Sequence, residues 1–187
     1  MYKDIRNEYK EQANAELAEQ LTSEDVVIYL DGCKGRTSRA LRGTQAKLIL
    51  VERDPQTFKI HRRSRPWANP ILGDIVDVME SHPEATAIYF DGMCTIQKLG
   101  LNRIREAVSR MPKLRIYWQT INTRNNYKRN NRKFSRQRSA SYALGLLTGI
   151  MPTRMKRVSP VEMDPRWKKL KPFNYKTGMS LIKFKRR

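Results

Sequence analysis

Cysteine is almost missing from this 187-residue chain, which has only Cys33 and Cys94. Neither stands in a CxxC or related spacing, and the two histidines, His61 and His82, are isolated. A structural zinc site draws on closely spaced Cys and His pairs, so no metal site is expected. So few cysteines suit a reducing compartment. No stretch approaches 18 consecutive apolar residues, and the charged N-terminus MYKDIR is not a signal peptide. The expectation is a soluble intracellular protein without membrane contact, cellular or virus-encoded. Acidic residues are scarce in one region only. Residues 121–187 hold Glu162 and Asp164 against 19 of the 38 Lys and Arg, whereas residues 1–120 hold 16 acids against the other 19.

A nearly neutral body thus carries a strongly basic C-terminal third, and the whole chain has a net charge of +20. That asymmetry points to a polyanionic partner, most simply nucleic acid, over a solubilising tail or an acidic protein. The length predicts a single domain over 1–187.

Strand-like and helix-like runs alternate along the body. The runs VVIYLD (26–31), KLILVE (47–52), NPILGD (69–74), ATAIYFD (85–91) and LRIYWQTI (114–121) predict five strands, the longer ones apolar enough to be buried on both faces. Helices are predicted over 2–20, from about Ser38 to Leu41, over IVDVMESH and over 96–111; Asp54-Pro55 reads as a turn and helix-start signal that opens a short polar segment, QTFKIHRRSR. Strand–helix alternation with short connections predicts an α/β, Rossmann-like, mostly parallel sheet flanked by helices. A further helix is predicted over 139–150. In GMSLIKFKR (178–186), Met179, Leu181 and Phe184 read as inward and Lys183 and Lys185 as outward, which predicts a terminal antiparallel strand.

Four of the strand ends carry acids or glycine turns: LDGCKGRTS (30–38), VERDP (51–55), LGDIVDV (72–78) and IYFDGM (88–93). A parallel α/β sheet binds ligands at the carboxyl ends of its strands. Glycine at Gly32 and Gly35 lets a backbone approach a ligand closely. The carboxylate of Glu52 offers two acceptor oxygens in a fork. Asp74 can cap the helix after it as well as meet a ligand, and both roles are compatible. The first loop lacks GxGxxG, which counts against a dinucleotide.

In their order and spacing these four signals resemble the class I S-adenosylmethionine-dependent methyltransferases, over roughly residues 26–120 plus the last strand. The resemblance implies a seven-stranded sheet with an antiparallel C-terminal strand and S-adenosylmethionine as cofactor. It implies that Asp31, Gly32 and Gly35 frame the amino-acid part of the cofactor and that Glu52 holds the ribose. It further implies that Asp74 accepts the adenine amino group while Ile75 frames the ring, and that Asp91 positions the substrate. The chain departs from the family at Thr37, where a second glycine is common. It departs again at Gly92, Met93 and Cys94, where amino-directed nucleic-acid enzymes keep two prolines and an aromatic residue. Cys94 invites comparison with the nucleophile of cytosine-C5 enzymes, but its Pro-Cys context is absent, and a buried apolar cysteine is the commoner outcome.

The segment at about 122–138 interleaves Arg124, Lys128, Arg129, Arg132, Lys133, Arg136 and Arg138 with Tyr127 and Phe134. Cations neutralise phosphates and aromatic rings stack on unpaired bases, so the segment is expected to be a nucleic-acid-binding arm, with RNA favoured over DNA. Trp167, in a second basic patch, reads equally as a stacking residue or a core anchor. Two function classes are open: a methyltransferase acting on or bound to nucleic acid, or a catalytically inactive relative serving as a structural nucleic-acid-binding or ribonucleoprotein component.

Overall fold

The computed structural model describes residues 8–91, 101–122, 167–169, 173–175 and 179–186. The body is built from β1 (Val26–Leu30), α2 (Arg36–Leu41), β2 (Lys47–Glu52), α3 (Pro55–Ser64), β3 (Ile71–Leu72), α4 (Ile75–Ser81), β4 (Ala87–Phe90), α5 (Leu101–Ser109) and β5 (Ile116–Asn122). It is preceded by α1 (Glu8–Glu19) and followed by β6 (Trp167–Lys169), β7 (Phe173–Tyr175) and β8 (Met179–Arg186). The sheet order is β3-β2-β1-β4-β5-β8-β6, with β7 also pairing β8. Strands β1 to β5 are parallel; β8 runs antiparallel to β5, and β6 and β7 run antiparallel to β8. The sheet therefore has eight strands among the described residues, where seven were expected.

Side chains two apart on a strand share a face, so each buried strand feeds two cores. Ile28, Ile49, Val51 and Ile88 face α4 and α5, packing on Ile75, Val78, Met79, Ile104 and Val108. Val27, Tyr29, Leu48, Leu50, Tyr89 and Trp118 face the other way, onto Ala13, Leu17 and Leu41. Helix α1 runs along this second face, with Ala13 and Leu17 buried against it.

Register lines up Tyr29, Tyr89, Trp118 and Lys183 across four neighbouring strands. The Tyr89 and Trp118 rings meet edge to face at 6.1 Å. Lys183 was expected to point outward; instead it is buried beside Leu181 on the α1 face. Its Nζ lies 5.0 Å over the Trp118 ring and 2.6 Å from both carboxylate oxygens of Glu16. The i, i+2 relation to Leu181 forces this orientation, and Glu16 makes it tolerable by supplying the counter-charge.

At the opposite end from the acidic loops, Asp25 ties three elements together. It accepts hydrogen bonds from the Thr22 amide and hydroxyl, from the Thr86 hydroxyl and from the Arg115 guanidinium. Burial alone would raise its pKa, but the bonds from Arg115, Thr86 and Thr22 outweigh that and hold the carboxyl well below the usual range. The segment QTFKIHRRSR, expected to be a short polar stretch, is helical: α3 starts at Pro55 behind an N-cap in which Asp54 accepts from the Thr57 amide at 2.9 Å. Proline at the first helical position and an aspartate cap outweigh the polarity of the rest of the segment. The helix predicted over 139–150 and the start of the one predicted over 96–111 lie outside the described residues.

Candidate functional site

All four acidic strand ends fall on one edge of the sheet, the carboxyl edge of β1, β2, β3 and β4. The residues differ in what their side chains are already doing.

Asp31 is buried at 7% exposure and fully engaged. Its Oδ1 accepts from the amides of Gly32 at 2.9 Å and Thr37 at 3.3 Å. Its Oδ2 accepts from the Ser38 amide at 2.8 Å and the Ser38 hydroxyl at 2.7 Å. Asp31 thus shapes the glycine turn and starts α2, with its oxygens committed inside the loop. Within that turn Gly35 has φ +62°, in the left-handed region that favours glycine. A Cβ there would also overlap the Arg65 guanidinium. Gly32 is the opposite case, since an added Cβ would meet nothing within 4 Å.

Glu52 stands partly exposed at the end of β2. Its Oε1 accepts from the Asp54 amide at 2.8 Å, while Oε2 has no hydrogen bond among the described residues. The next loop is tied to it through the main chain, because the Gly73 amide donates to the Glu52 carbonyl at 3.0 Å. Gly73, like Gly32, borders open space. Asp74 caps α4 by accepting from the Val76 amide at 2.8 Å through Oδ1, leaving Oδ2 without a partner among the described residues. Ile75 is 5% exposed and packs in the core, so little of its side chain faces the edge.

Asp91, after β4, is held from two sides. Its Oδ2 is 2.6 Å from Nζ of Lys10 on α1, and its Oδ1 accepts from the Thr120 hydroxyl on β5 at 2.9 Å. Residues 92–100, Cys94 among them, lie outside the described residues, as do Arg124, Lys128, Arg129, Arg132, Lys133, Arg136 and Arg138. Strand β5 runs parallel to β4 and ends at Asn122, so the chain leaves for that segment at the same edge as Asp91.

Beneath the edge are two side chains that the sequence alone did not single out. His61, on α3, is fully buried. Its Nδ1 lies 2.9 Å from Nη1 of Arg65, and its Nε2 lies 4.0 Å from Glu52 Oε2 with no hydrogen-bond partner. Burial and the Arg65 guanidinium push the imidazole pKa below its ordinary value, against an opposing pull from Asp31 and Glu52. Arg65 also donates from Nη2 to the Cys33 carbonyl at 3.2 Å. The signal was the i, i+4 spacing of His61 and Arg65, which only a helix brings together. Among the described residues no group of three His, Cys, Asp or Glu is arranged to hold a metal ion, and no helix is long and apolar enough to cross a membrane.

No protein-family profile matches the sequence. No curated protein matches it either. Solved structures do match its shape. The chain is similar to the 23S rRNA methyltransferase ErmE, with a TM-score of 0.58 and 17% identity over 98% of this chain and 69% of that one. It is similar to YhhF of Escherichia coli, a candidate methyltransferase, with a TM-score of 0.59 and 9% identity over 100% and 89% of the two chains. It is also similar to HI0767 of Haemophilus influenzae, a candidate methylase, with a TM-score of 0.55 and 12% identity over 96% of each chain. Likeness at such low identity concerns shape, and shape alone does not assign chemistry. Strand order, acidic carboxyl edge and structural neighbours agree on one architecture: the chain has the Rossmann-like fold of the class I methyltransferases.

Proposed function

We propose that this protein is an S-adenosylmethionine-dependent methyltransferase that acts on nucleic acid, with RNA favoured over DNA. The observation that carries the reading is a pair of uncommitted carboxylate oxygens, Glu52 Oε2 and Asp74 Oδ2, on adjacent strand ends beside the open space over Gly32 and Gly73. These two partly exposed acids each leave one acceptor oxygen accessible to a ligand.

The residues fit the cofactor. Glu52 would accept ribose hydroxyls, its direction set by the Asp54 amide. Asp74 would accept the adenine amino group, and Ile75 would contribute its main-chain amide more than its buried side chain. The backbone of Gly32 to Gly35, held in shape by Asp31, would face the amino-acid part. When bound, the cofactor supplies a methyl group on a sulfonium centre, where in-line displacement asks for alignment more than for a strong base. Asp91 would orient the acceptor, with Lys10 and Thr120 fixing its own direction.

We read β6 and β7 as one interrupted strand, since they pair with successive parts of β8, at Phe184–Arg186 and Met179–Leu181. Counted so, the sheet has the seven strands and antiparallel C-terminal strand of the family. RNA is favoured for two reasons. The basic 122–138 segment departs beside Asp91, and one structural neighbour is a 23S rRNA methyltransferase.

Isothermal titration of S-adenosylmethionine into the purified protein tests the reading. Binding is expected, with most of it lost in Glu52→Ala. No heat at millimolar cofactor would overturn the enzyme reading, and an unchanged affinity in Glu52→Ala would overturn the ribose assignment.

A further inference from the structure

Lys10 meets Asp91, Arg103 meets Asp77 and Glu80, Arg115 meets Asp25, and Lys183 meets Glu16. Within residues 1–120, basic residues are most in excess in one region. Residues 32–73 contain ten Lys and Arg against Glu52 and Asp54, whereas the rest of residues 1–120 contains nine against fourteen acids. The local excess falls on α2, α3 and their flanking turns. Arg39, Arg42, Lys59, Arg62 and Arg63 are all exposed there, and none is paired with a carboxylate among the described residues.

Geometry gathers these five. Lys59, Arg62 and Arg63 stand at i, i+3 and i+4 on α3 and share its outer face, opposite the buried His61 and Arg65. Arg65 bridges α3 to the start of α2 through the Cys33 carbonyl. The Arg42 guanidinium lies 5.3 Å over the Trp67 ring, which joins the turn after α2 to the turn after α3. Arg39 Nη1 donates to the Lys34 carbonyl at 2.7 Å. Both last contacts hold a guanidinium in place without neutralising it, which lowers the entropy lost when an anion binds. The helix dipole accounts for Arg62 and Arg63 in the last turn of α3. The dipole of α2 likewise suits Arg39 in its last turn and Arg42 at its C-cap. It does not account for Lys59, and like charges at these spacings repel.

We propose that the outer face of α2 and α3 is a second nucleic-acid-binding surface, which takes RNA phosphates through Arg39, Arg42, Lys59, Arg62 and Arg63. Four of the five are arginine, whose planar fork matches phosphate oxygens better than an ammonium does. A membrane-surface helix would need a broad apolar face, and α3 exposes only Ile60 as a large apolar side chain. The surface lies on the β1–β2 side of the sheet, and the 122–138 segment leaves from β5, three strand positions from β2 and so about 14 Å away at the usual strand spacing. The inference rests on the nucleic-acid function proposed above and adds to it a place and a set of residues.

The test is fluorescence anisotropy of a labelled single-stranded RNA and a labelled RNA hairpin over a salt series. It compares the full chain, Arg39→Gln/Arg62→Gln/Arg63→Gln, and Arg124→Gln/Arg129→Gln/Arg132→Gln. Each lost phosphate contact removes about 0.7 to 0.9 from the log–log salt slope, so the first triple variant should lose about 2 from the slope, and its affinity should fall about tenfold or more at moderate salt. Circular dichroism and melting should match wild type, because the three side chains are exposed. The same positions changed to lysine should keep most of the slope, which separates charge from fold. If the 122–138 variant loses affinity while the α2–α3 variant keeps wild-type affinity and slope, this proposal is overturned and the nucleic-acid reading stands. A wild-type chain that binds neither RNA at low salt overturns both. Loss of binding to phosphatidylserine vesicles with RNA binding intact would also overturn it, assigning the face to anionic lipid.

Discussion

Arg65 donates from Nη1 to Nδ1 of His61 across 2.9 Å and thereby fixes the tautomer of the imidazole. A guanidinium has donors and no acceptor, so Nδ1 must be the bare nitrogen and Nε2 must carry the proton. Nε2 is the buried atom without a hydrogen-bond partner, 4.0 Å from Glu52 Oε2. The Asp31 carbonyl also attracts that proton without reaching hydrogen-bond geometry. A line of contacts thus runs from the acid at the end of β2, through α3, to the glycine turn after β1.

That line makes stability depend on pH. The folded pKa of His61 is lowered, chiefly by burial and by Arg65, with Asp31 and Glu52 pulling the other way. Neutral His61 therefore contributes stability that is fully present above its unfolded value of 6.5 and lost as pH falls below it. Melting temperature should decline between pH 7.5 and pH 5, and the decline should be shallower in His61→Phe. His61→Phe should itself cost about 2 kcal/mol at pH 7.5, because Arg65 loses an acceptor in a buried place. An identical pH slope in the two proteins would remove His61 from the account.

The two glycines of the first loop should separate fold from binding. Gly35→Ala meets both a φ of +62° and the Arg65 guanidinium, and should destabilise by about 2 kcal/mol or more. Gly32→Ala projects into open space and should leave stability within about 0.5 kcal/mol of wild type. Under the proposed function Gly32→Ala lowers cofactor affinity all the same. Chemical denaturation and titration calorimetry on both variants check the pair.

Asp31 and Glu52 should part in the same way. Asp31 accepts four hydrogen bonds inside its loop, so Asp31→Ala leaves the Ser38 and Thr37 amides unsatisfied and should cost about 3 kcal/mol. Glu52 accepts one local bond and is partly exposed, so Glu52→Ala should stay within about 1 kcal/mol of wild-type stability while losing cofactor. Equal loss of stability in the two variants would contradict this division of labour.

At the far end of the sheet, the Asp25 carboxylate is matched to Arg115, Thr86 and Thr22. Its folded pKa is depressed, so its stabilisation is present above the unfolded value of 3.8 and disappears as pH falls through the folded value. Asp25→Ala should cost about 3 kcal/mol at neutral pH by stranding Arg115. The cost should shrink in acid below about pH 4, where the wild-type carboxylate is itself losing its advantage. Urea denaturation at pH 7 and pH 3 measures the difference.

The amino-acid sequence alone determined the alternation of strands and helices and the set of acids at the strand ends, because short continuous apolar runs and turn chemistry are local properties. Asp54-Pro55 even marked where α3 begins, yet the polar residues after it hid a helix whose apolar need is met by one face carrying Phe58, His61 and Arg65. What only the tertiary structure decided is which polar groups meet. Lys183 looked outward in a run of lysines, but register placed it in line with Tyr29, Tyr89 and Trp118, and Glu16, 167 residues away in sequence, supplied its counter-charge. Asp91 was legible as a strand-end acid, but its ion pair with Lys10 depends on where α1 crosses the sheet. Asp31 and Glu52 look alike as strand-end acids. Folding commits both oxygens of one inside the loop and leaves one oxygen of the other open, because a hydrogen bond is set by where two chain segments arrive in space, and a strand's own residues do not encode that.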